Sequence, residues 1–222
     1  METRAIAIVG GGPAGLATAA LLRRRGLEPL VLEAGPEPGA AWRDRYDRLR
    51  LHTPRLLSGL PGRRIPRRYG RWVRRDDLLA YFRDYAEAER IDLRTGARVE
   101  RLEPDGDAWR LETAAGQLRA RDVVVATGYN GAPRIPDWPG RDGFAGELIH
   151  SSAYCNPESF GGRDVLVFGQ FAVLLRGHQI EFDRAAPGGT IVDGVVGHIL
   201  ARIERHRRIR RAQRHGQLDR SF

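Results

Sequence analysis

The sequence predicts an α/β fold: a Rossmann-like three-layer domain with a small antiparallel β-meander. Three observations predict it. The opening stretch "AIAIVGGGPAGLATAALLRRRGLEPLVLEAG" orders itself as strand, glycine turn, helix, strand and acid. Residues 97–120 form short alternating segments between turn signals, and "DVVVA", Asp122 to Ala126, is the continuous apolar run of a strand buried on both faces.

Ala5 to Val9 is a short Ile- and Val-rich strand that ends at Gly10, Gly11 and Gly12 and gives way to a helical stretch from Ala14 to Arg25. The spacing Gly10, Gly12, Gly15 is G-x-G-x-x-G. Gly10 allows the tight turn, Gly12 lets the backbone approach a pyrophosphate, and Gly15 lets the helix pack closely on the strand. Pro13 and Ala14 open the helix, whose N-terminus offers free N–H groups and a partial positive charge to phosphates. Glu33 closes a second strand, Pro29 to Glu33, 18 residues after Gly15, where an acid can hold a ribose hydroxyl. An acid repels a 2′-phosphate, so this first site favours FAD or NAD over NADP. Taken alone, the three glycines are equally consistent with a structural turn; the acid and the order of elements point to a dinucleotide.

Gly39 to Val73 has aromatics and prolines without a steady period and reads as an irregular excursion. A helix follows, with Asp76 or Asp77 as cap and Leu78, Leu79, Phe82, Tyr85 and Ala86 on one face. Ala97 to Glu103, Asp107 to Thr113 and Gln117 to Ala120 are divided by "PDGD" and "AAG", which are hairpin signals. The apolar strand Asp122 to Ala126 then ends in "TGY".

A chain of 222 residues, 41% of them hydrophobic, suits one domain or one and a half. No apolar run reaches the ~18 residues needed to span a membrane, the glycine turn breaks up any signal-peptide pattern, and the sole cysteine, Cys155, has no internal partner, so a cytoplasmic protein without a membrane partner is expected. The net charge is +9, of which residues 201–222 carry +6, and all 37 basic residues are Arg. A GC-rich coding sequence explains that bias as readily as phosphate contacts do, and nucleic acid is not an expected partner. Four of the six histidines, at 178, 198, 206 and 215, have no supporting Cys or carboxylate spacing, and no metal is expected.

With these elements in place, "WRDRYDRLRLHTPR", "ATGYNGAPRIPDWPG" and "FAGELIHSSAY" resemble the flavin-containing monooxygenase superfamily, including bacterial flavin monooxygenases and plant indole-pyruvate monooxygenases. The last stretch fits F-x-G-x-x-x-H-x-x-x-Y through Phe144, Gly146, His150 and Tyr154. The resemblance runs from about Arg4 to Gly169. It implies an FAD-binding domain over 1–140, a linker over 141–162, and, over 163–222, an incomplete second nucleotide-binding domain, the remnant of an NADPH domain, with a basic tail. It implies that Gly10, Gly12, Gly15 and Glu33 bind the ADP half of FAD and that Val99 meets adenine through its backbone. Trp42, Leu51 and His52 would lie near the flavin, and Ala126, Thr127 and Gly128 would close the second strand-end turn beside the cofactor. Packing alone is the competing role for Trp42, a satisfied loop histidine is that for His52, and His150 is architectural and not a general base. The implied chemistry is hydride transfer from NADPH to FAD, then oxygenation of a small organic substrate by O₂ through a C4a-peroxyflavin, in which the flavin makes the bonds and the protein orients it. A dithiol reductase needs a cysteine pair, against which Cys155 stands alone.

The resemblance breaks after "GGRDVLVFG". A second G-x-G-x-x-G and a helix are expected there, but "GQFAVLLRG" places Phe171 and Leu174 at the second and third glycine positions. A Phe side chain would occupy the space a pyrophosphate needs, and its Cβ excludes the φ values open to glycine. Only 53 residues follow Gly169. NADPH is therefore implied by the resemblance while its motif is missing, and a truncated or frame-shifted terminus is expected. A non-catalytic or partner-dependent flavin-binding fragment is the alternative function.

Overall fold

The computed structural model describes residues 1–128, 131–137 and 139–167, together with the backbone of 172–176 and 179–183. The chain divides into two compact units, Met1–Pro157 and Glu158–Phe222.

In the first unit β1 (Glu2–Val9) leads through a glycine turn into α1 (Pro13–Arg23) and back to β2 (Pro29–Leu32). The excursion then contains only three short 3₁₀ turns before α2 (Arg75–Ala88) and β3 (Asp92–Arg94). The meander β4 (Val99–Asp105), β5 (Ala108–Thr113) and β6 (Gly116–Val125) completes a six-stranded sheet of order β3-β2-β1-β6-β5-β4. Strands β3, β2, β1 and β6 run parallel, and β6, β5 and β4 are antiparallel.

The period-2 alternation of side chains along β1 and β2 assigns residues to two faces. Ile6, Ile8 and Val31 pack with Ala19 of α1 in one buried cluster. Ala7, Leu30 and Leu32 pack with Ala97, Leu111, Leu118 and Ala120 in another. Leu32 and Leu111 belong to strands that β1 and β6 separate in the sheet, so a flat sheet would hold them about 14 Å apart at ~4.8 Å per strand. Ala7 of β1 and Leu118 and Ala120 of β6 lie between them in this cluster, so one apolar face runs continuously from the parallel strands into the meander. A third cluster joins Leu16 and Ala20 of α1 to Leu78, Tyr81, Phe82, Tyr85 and Ala86 of α2, with Ile65 and Val73 of the excursion.

Three details differ from expectation. The segments expected as Gln117–Ala120 and Asp122–Ala126 are one strand, β6, because β1 is eight residues long and pairs with both halves, from Glu2↔Leu118 to Val9↔Val125. The polar Arg121-Asp122 pair does not interrupt it, since a backbone ladder is indifferent to exposed side chains. Short β3 carries no sequence signal, as its polar "DLR" is ordered by pairing with β2. Finally, Arg74 is the N-cap of α2 with no side-chain cap bond; Asp76 and Asp77 lie inside the first turn, where they complement the helix dipole. The hairpin expectations hold, with Asp105↔Ala108 and Thr113↔Gly116 as closing pairs.

In the second unit β7 (Val165–Val167), β8 (Ala172–Arg176) and β9 (Gln179–Asp183) form an antiparallel sheet in which Leu166 faces Leu174. Leu174 thus lies in a strand where a second dinucleotide turn would open a helix. Gly169, Phe171, the histidines at 178, 198, 206 and 215 and the basic tail lie outside the described residues. Among the described residues no helix is long and apolar enough to cross a membrane, and no cluster of three metal-ligating side chains occurs.

The excursion is tied to α2 by two buried phenols. The Tyr81 hydroxyl accepts from the Leu60 N–H at 2.7 Å and donates to the Arg63 carbonyl at 2.6 Å, and Tyr85 donates to the Pro61 carbonyl at 2.9 Å. Tyr81→Phe leaves two backbone groups without partners and is expected to lower stability by about 1–3 kcal/mol in urea unfolding. Burial, and after it the Glu89 carboxylate, pushes the Tyr85 phenol up to about 12. The unfolded chain gives up this proton near pH ~10, so the Tyr85 contribution is complete below that pH and is lost as pH rises through the folded value. Urea midpoints measured in this alkaline window should fall, and fall less steeply in Tyr85→Phe.

Candidate dinucleotide site

The C-terminal ends of parallel strands are where an α/β sheet presents its loops to a ligand, and here β1, β2 and β6 end side by side. Gly10 sits at φ +113°, its N–H donates to the Leu32 carbonyl at 2.8 Å, and a Cβ on it would lie 2.5 Å from the Ala126 oxygen. A Cβ on Gly15 would run into the Gly10 carbonyl oxygen. Two of the three fingerprint glycines are therefore required by the fold itself.

Gly12 differs. Its φ of −77° suits any residue, and a Cβ there would meet nothing within 4 Å. It is the N-cap of α1, followed by Pro13 at N1, and the first helical bond runs from Leu16 N–H to the Gly12 carbonyl. The N–H groups of Gly12, Ala14 and Gly15 thus have no acceptor within the helix. They lie at the positive end of a helix with no acid in its first turn, and the space over Gly12 is open.

Glu33 is only 9% exposed. Its two carboxylate oxygens accept from the Gly11 N–H at 2.7 Å and the Gly35 N–H at 2.8 Å, which offsets the cost of burying the charge. The backbone around it is laid against β3 and the residues after it: Glu33 donates to Arg94, Gly96 to Gly35 and Ala97 to Glu33, each at 2.8 Å. Val99 follows at the start of β4, partly buried beside the Leu30–Leu32 cluster. Ala126 donates to the Val9 carbonyl at 2.8 Å, and beyond it Thr127 and Gly128 are exposed, Gly128 at φ +75°.

The structure therefore brings together Gly10, Gly12, Pro13, Ala14, Gly15, Glu33, Ala126, Thr127 and Gly128. Trp42 and Leu51 both pack against the α1–α2 cluster, Trp42 from a 3₁₀ turn and Leu51 through a 2.8 Å bond to the Val73 carbonyl. His52 is exposed. In the F-x-G-x-x-x-H-x-x-x-Y stretch, His150 caps a 3₁₀ turn by accepting from the Ser152 N–H at 3.1 Å, and Tyr154 lies 6.2 Å from the Tyr46 ring. Asp47 anchors the end of this stretch, donating its N–H to the Cys155 carbonyl at 2.9 Å and accepting from Asn156 at 3.0 Å. Arg75 of α2 holds the same carboxylate at 3.3 Å; Asp76 foremost, and Asp47 with it, push the guanidinium up. Sequence reasoning missed Gly11, Gly35, Gly39 and Glu37. The signal available was the recurrence of Gly and Glu in "EAGPEPG", residues 33–39.

A family model described as pyridine nucleotide-disulphide oxidoreductase matches residues 7–171. The chain belongs to this family. Its relatives there include flavin monooxygenases: the indole-3-pyruvate monooxygenase YUCCA1 of Oryza sativa subsp. japonica is 45% identical over 166 residues, 73% of this chain and 41% of that protein. A flavin-containing monooxygenase from Stenotrophomonas maltophilia superposes with a TM-score of 0.70 at 34% identity, covering 73% of this chain and 49% of that one. The S-allyl-L-cysteine S-oxygenase of Allium sativum follows with a TM-score of 0.65 at 26% identity, covering 71% and 44%. This member of the oxidoreductase family thus spans about two fifths of the length of the curated relatives it matches.

The glycines separate folding from binding in a testable way. Gly15→Ala forces α1 off β1 and should cost about 1–3 kcal/mol of stability, as overpacking does. Gly12→Ala places its methyl in open space and should cost at most about 1 kcal/mol, the effect of Ala at an N-cap. Urea denaturation of the two variants checks this order.

Proposed function

We propose that this chain is the FAD-binding part of a cytoplasmic, NADPH-dependent flavin monooxygenase that uses O₂ and a small organic substrate. The observation that carries the reading is the open space over Gly12 at the N-terminus of α1, beside the carboxylate of Glu33. A Cβ would fill that cradle, and three backbone N–H groups line it, so the residues fit a dinucleotide diphosphate. The similarity to flavin monooxygenases favours FAD among dinucleotides.

In this reading Gly12, Ala14 and Gly15 hold the diphosphate through their N–H groups, while Pro13 gives up no donor because its nitrogen carries none. Glu33 takes a ribose hydroxyl on the lone pairs that Gly11 and Gly35 leave free, and its charge repels a 2′-phosphate. The backbone of Val99 meets adenine. Trp42, Leu51 and His52 line the flavin side and exclude water there, and Ala126, Thr127 and Gly128 close the site across from them. Bound FAD supplies the acceptance of hydride and the activation of oxygen. Residues 1–140 form the FAD domain, 141–162 the linker that Asp47 secures, and 163–222 a divergent NADPH region.

A second reading, a non-catalytic or partner-dependent flavin-binding fragment, is favoured by β8, whose antiparallel strand contains Leu174 where a nucleotide-binding helix would begin. Titration of the chain with FAD tests the part common to both. Saturable binding is expected, lost in Gly12→Val without loss of the fold, and weakened by about 1–3 kcal/mol in Glu33→Ala. Flavin binding that is unchanged in Gly12→Val overturns the site. NADPH oxidation under oxygen by the FAD-loaded chain then separates enzyme from fragment.

A further inference from the structure

Gly11 is held by both of its peptide groups. Its N–H goes to Glu33, and its carbonyl accepts from the Gly39 N–H at 2.8 Å. Gly39 lies at φ +75° and against α2, where a Cβ would run into the Phe82 ring. Two residues before it stands Glu37, a second buried carboxylate, only 8% exposed. Its Oε1 accepts from Arg43, whose Nε lies at 2.8 Å, and its Oε2 accepts from Arg83 of α2 at 2.9 Å. Both guanidiniums are about half exposed, while the carboxylate between them is not.

This ion triad closes a short loop. The Glu37 carbonyl accepts from the Ala40 N–H, Gly39 from Trp42 and Ala40 from Arg43, so 37–43 is wound into the 3₁₀ turn that carries Trp42. Arg43 ties the far end of that turn back to Glu37, and Arg83 ties Glu37 to α2. The segment that presents Gly39 to the glycine turn is thereby fixed from both ends. Stability alone does not call for such a device, since a buried ion pair is often matched by apolar residues of the same volume. What an apolar residue does not supply is direction: two oxygens, each engaged by a different guanidinium, allow one orientation of the loop.

We infer that Glu37, with Arg43 and Arg83, is a positioning residue of the dinucleotide turn, setting the Gly11 peptide through Gly39 from the side opposite Glu33. The inference rests on the dinucleotide reading of that turn. Glu37→Gln is the informative variant: its amide has one acceptor, so one guanidinium meets an NH₂ group and lets go.

Two measurements on the full chain test it. FAD titration should give about tenfold weaker binding in Glu37→Gln and in Arg83→Met, and no further loss in the double variant, because the two residues act as one coupled unit. Amide hydrogen exchange without FAD should accelerate at Gly11 and Gly39 while the amides of β1 and β2 keep their protection. Unchanged exchange at Gly39 and equal FAD affinity overturn the inference, as does acceleration spread evenly over the sheet, which marks a merely structural role. If the unsubstituted chain binds no FAD, the proposed function fails, and the exchange arm still decides whether Glu37 holds the turn.

Discussion

The close approach of Gly15 to the Gly10 carbonyl is the constraint on which the first unit depends. With no Cβ between them, α1 starts directly above the end of β1, and from that start the helical period sends Ala19 onto Ile8 and Val31 and turns Leu16 and Ala20 toward α2. α2 in turn holds the excursion by Tyr81 and Tyr85. Widening the first contact by one methyl group shifts every layer outside it, because packed interiors transmit displacement instead of absorbing it.

Two buried carboxylates lie within five residues, and each is satisfied by a different chemistry. Glu33 takes backbone N–H groups from Gly11 and Gly35, so its position follows the main chain. Glu37 takes side-chain guanidiniums from Arg43 and Arg83 and serves the loop. Burying an ionised carboxylate is costly unless its lone pairs are engaged, and charge-assisted bonds offset that cost in both cases. The same economy appears at Asp47, where Arg75, Asn156 and a backbone bond to Cys155 converge on one residue and hold the end of the F-x-G-x-x-x-H-x-x-x-Y stretch.

The second unit follows other rules. "DVLVFG" has the composition of a buried parallel strand, yet β7 pairs antiparallel with β8, and Leu166 and Val167 stay exposed at 46% and 41%. Where a helix would open after a second glycine turn, "AVLLR" is instead the central strand β8 of this sheet. The family match ends at residue 171, within this change of pattern.

What the sequence determined by itself is whatever depends on local sterics and period. G-x-G-x-x-G and the apolar strand before it specify a strand-to-helix turn, because only glycine tolerates φ +113° at Gly10 and the contact at Gly15. Leu78, Leu79, Phe82, Tyr85 and Ala86 mark the buried face of α2, and "PDGD" marks a hairpin, for the same local reasons. The tertiary structure decided what depends on partners distant in the chain. β6 is one strand because β1 lies along it from Leu118 to Val125, β3 exists because β2 offers it an edge, and Leu32 and Leu111 share a cluster because Ala7, Leu118 and Ala120 lie between them. Glu33 could be placed near a ribose from spacing, but its bond to Gly11 spans 22 residues, and the link from Glu37 to Arg83 spans 46. Contacts of that separation are set by how layers stack, and no period or spacing along the chain encodes them.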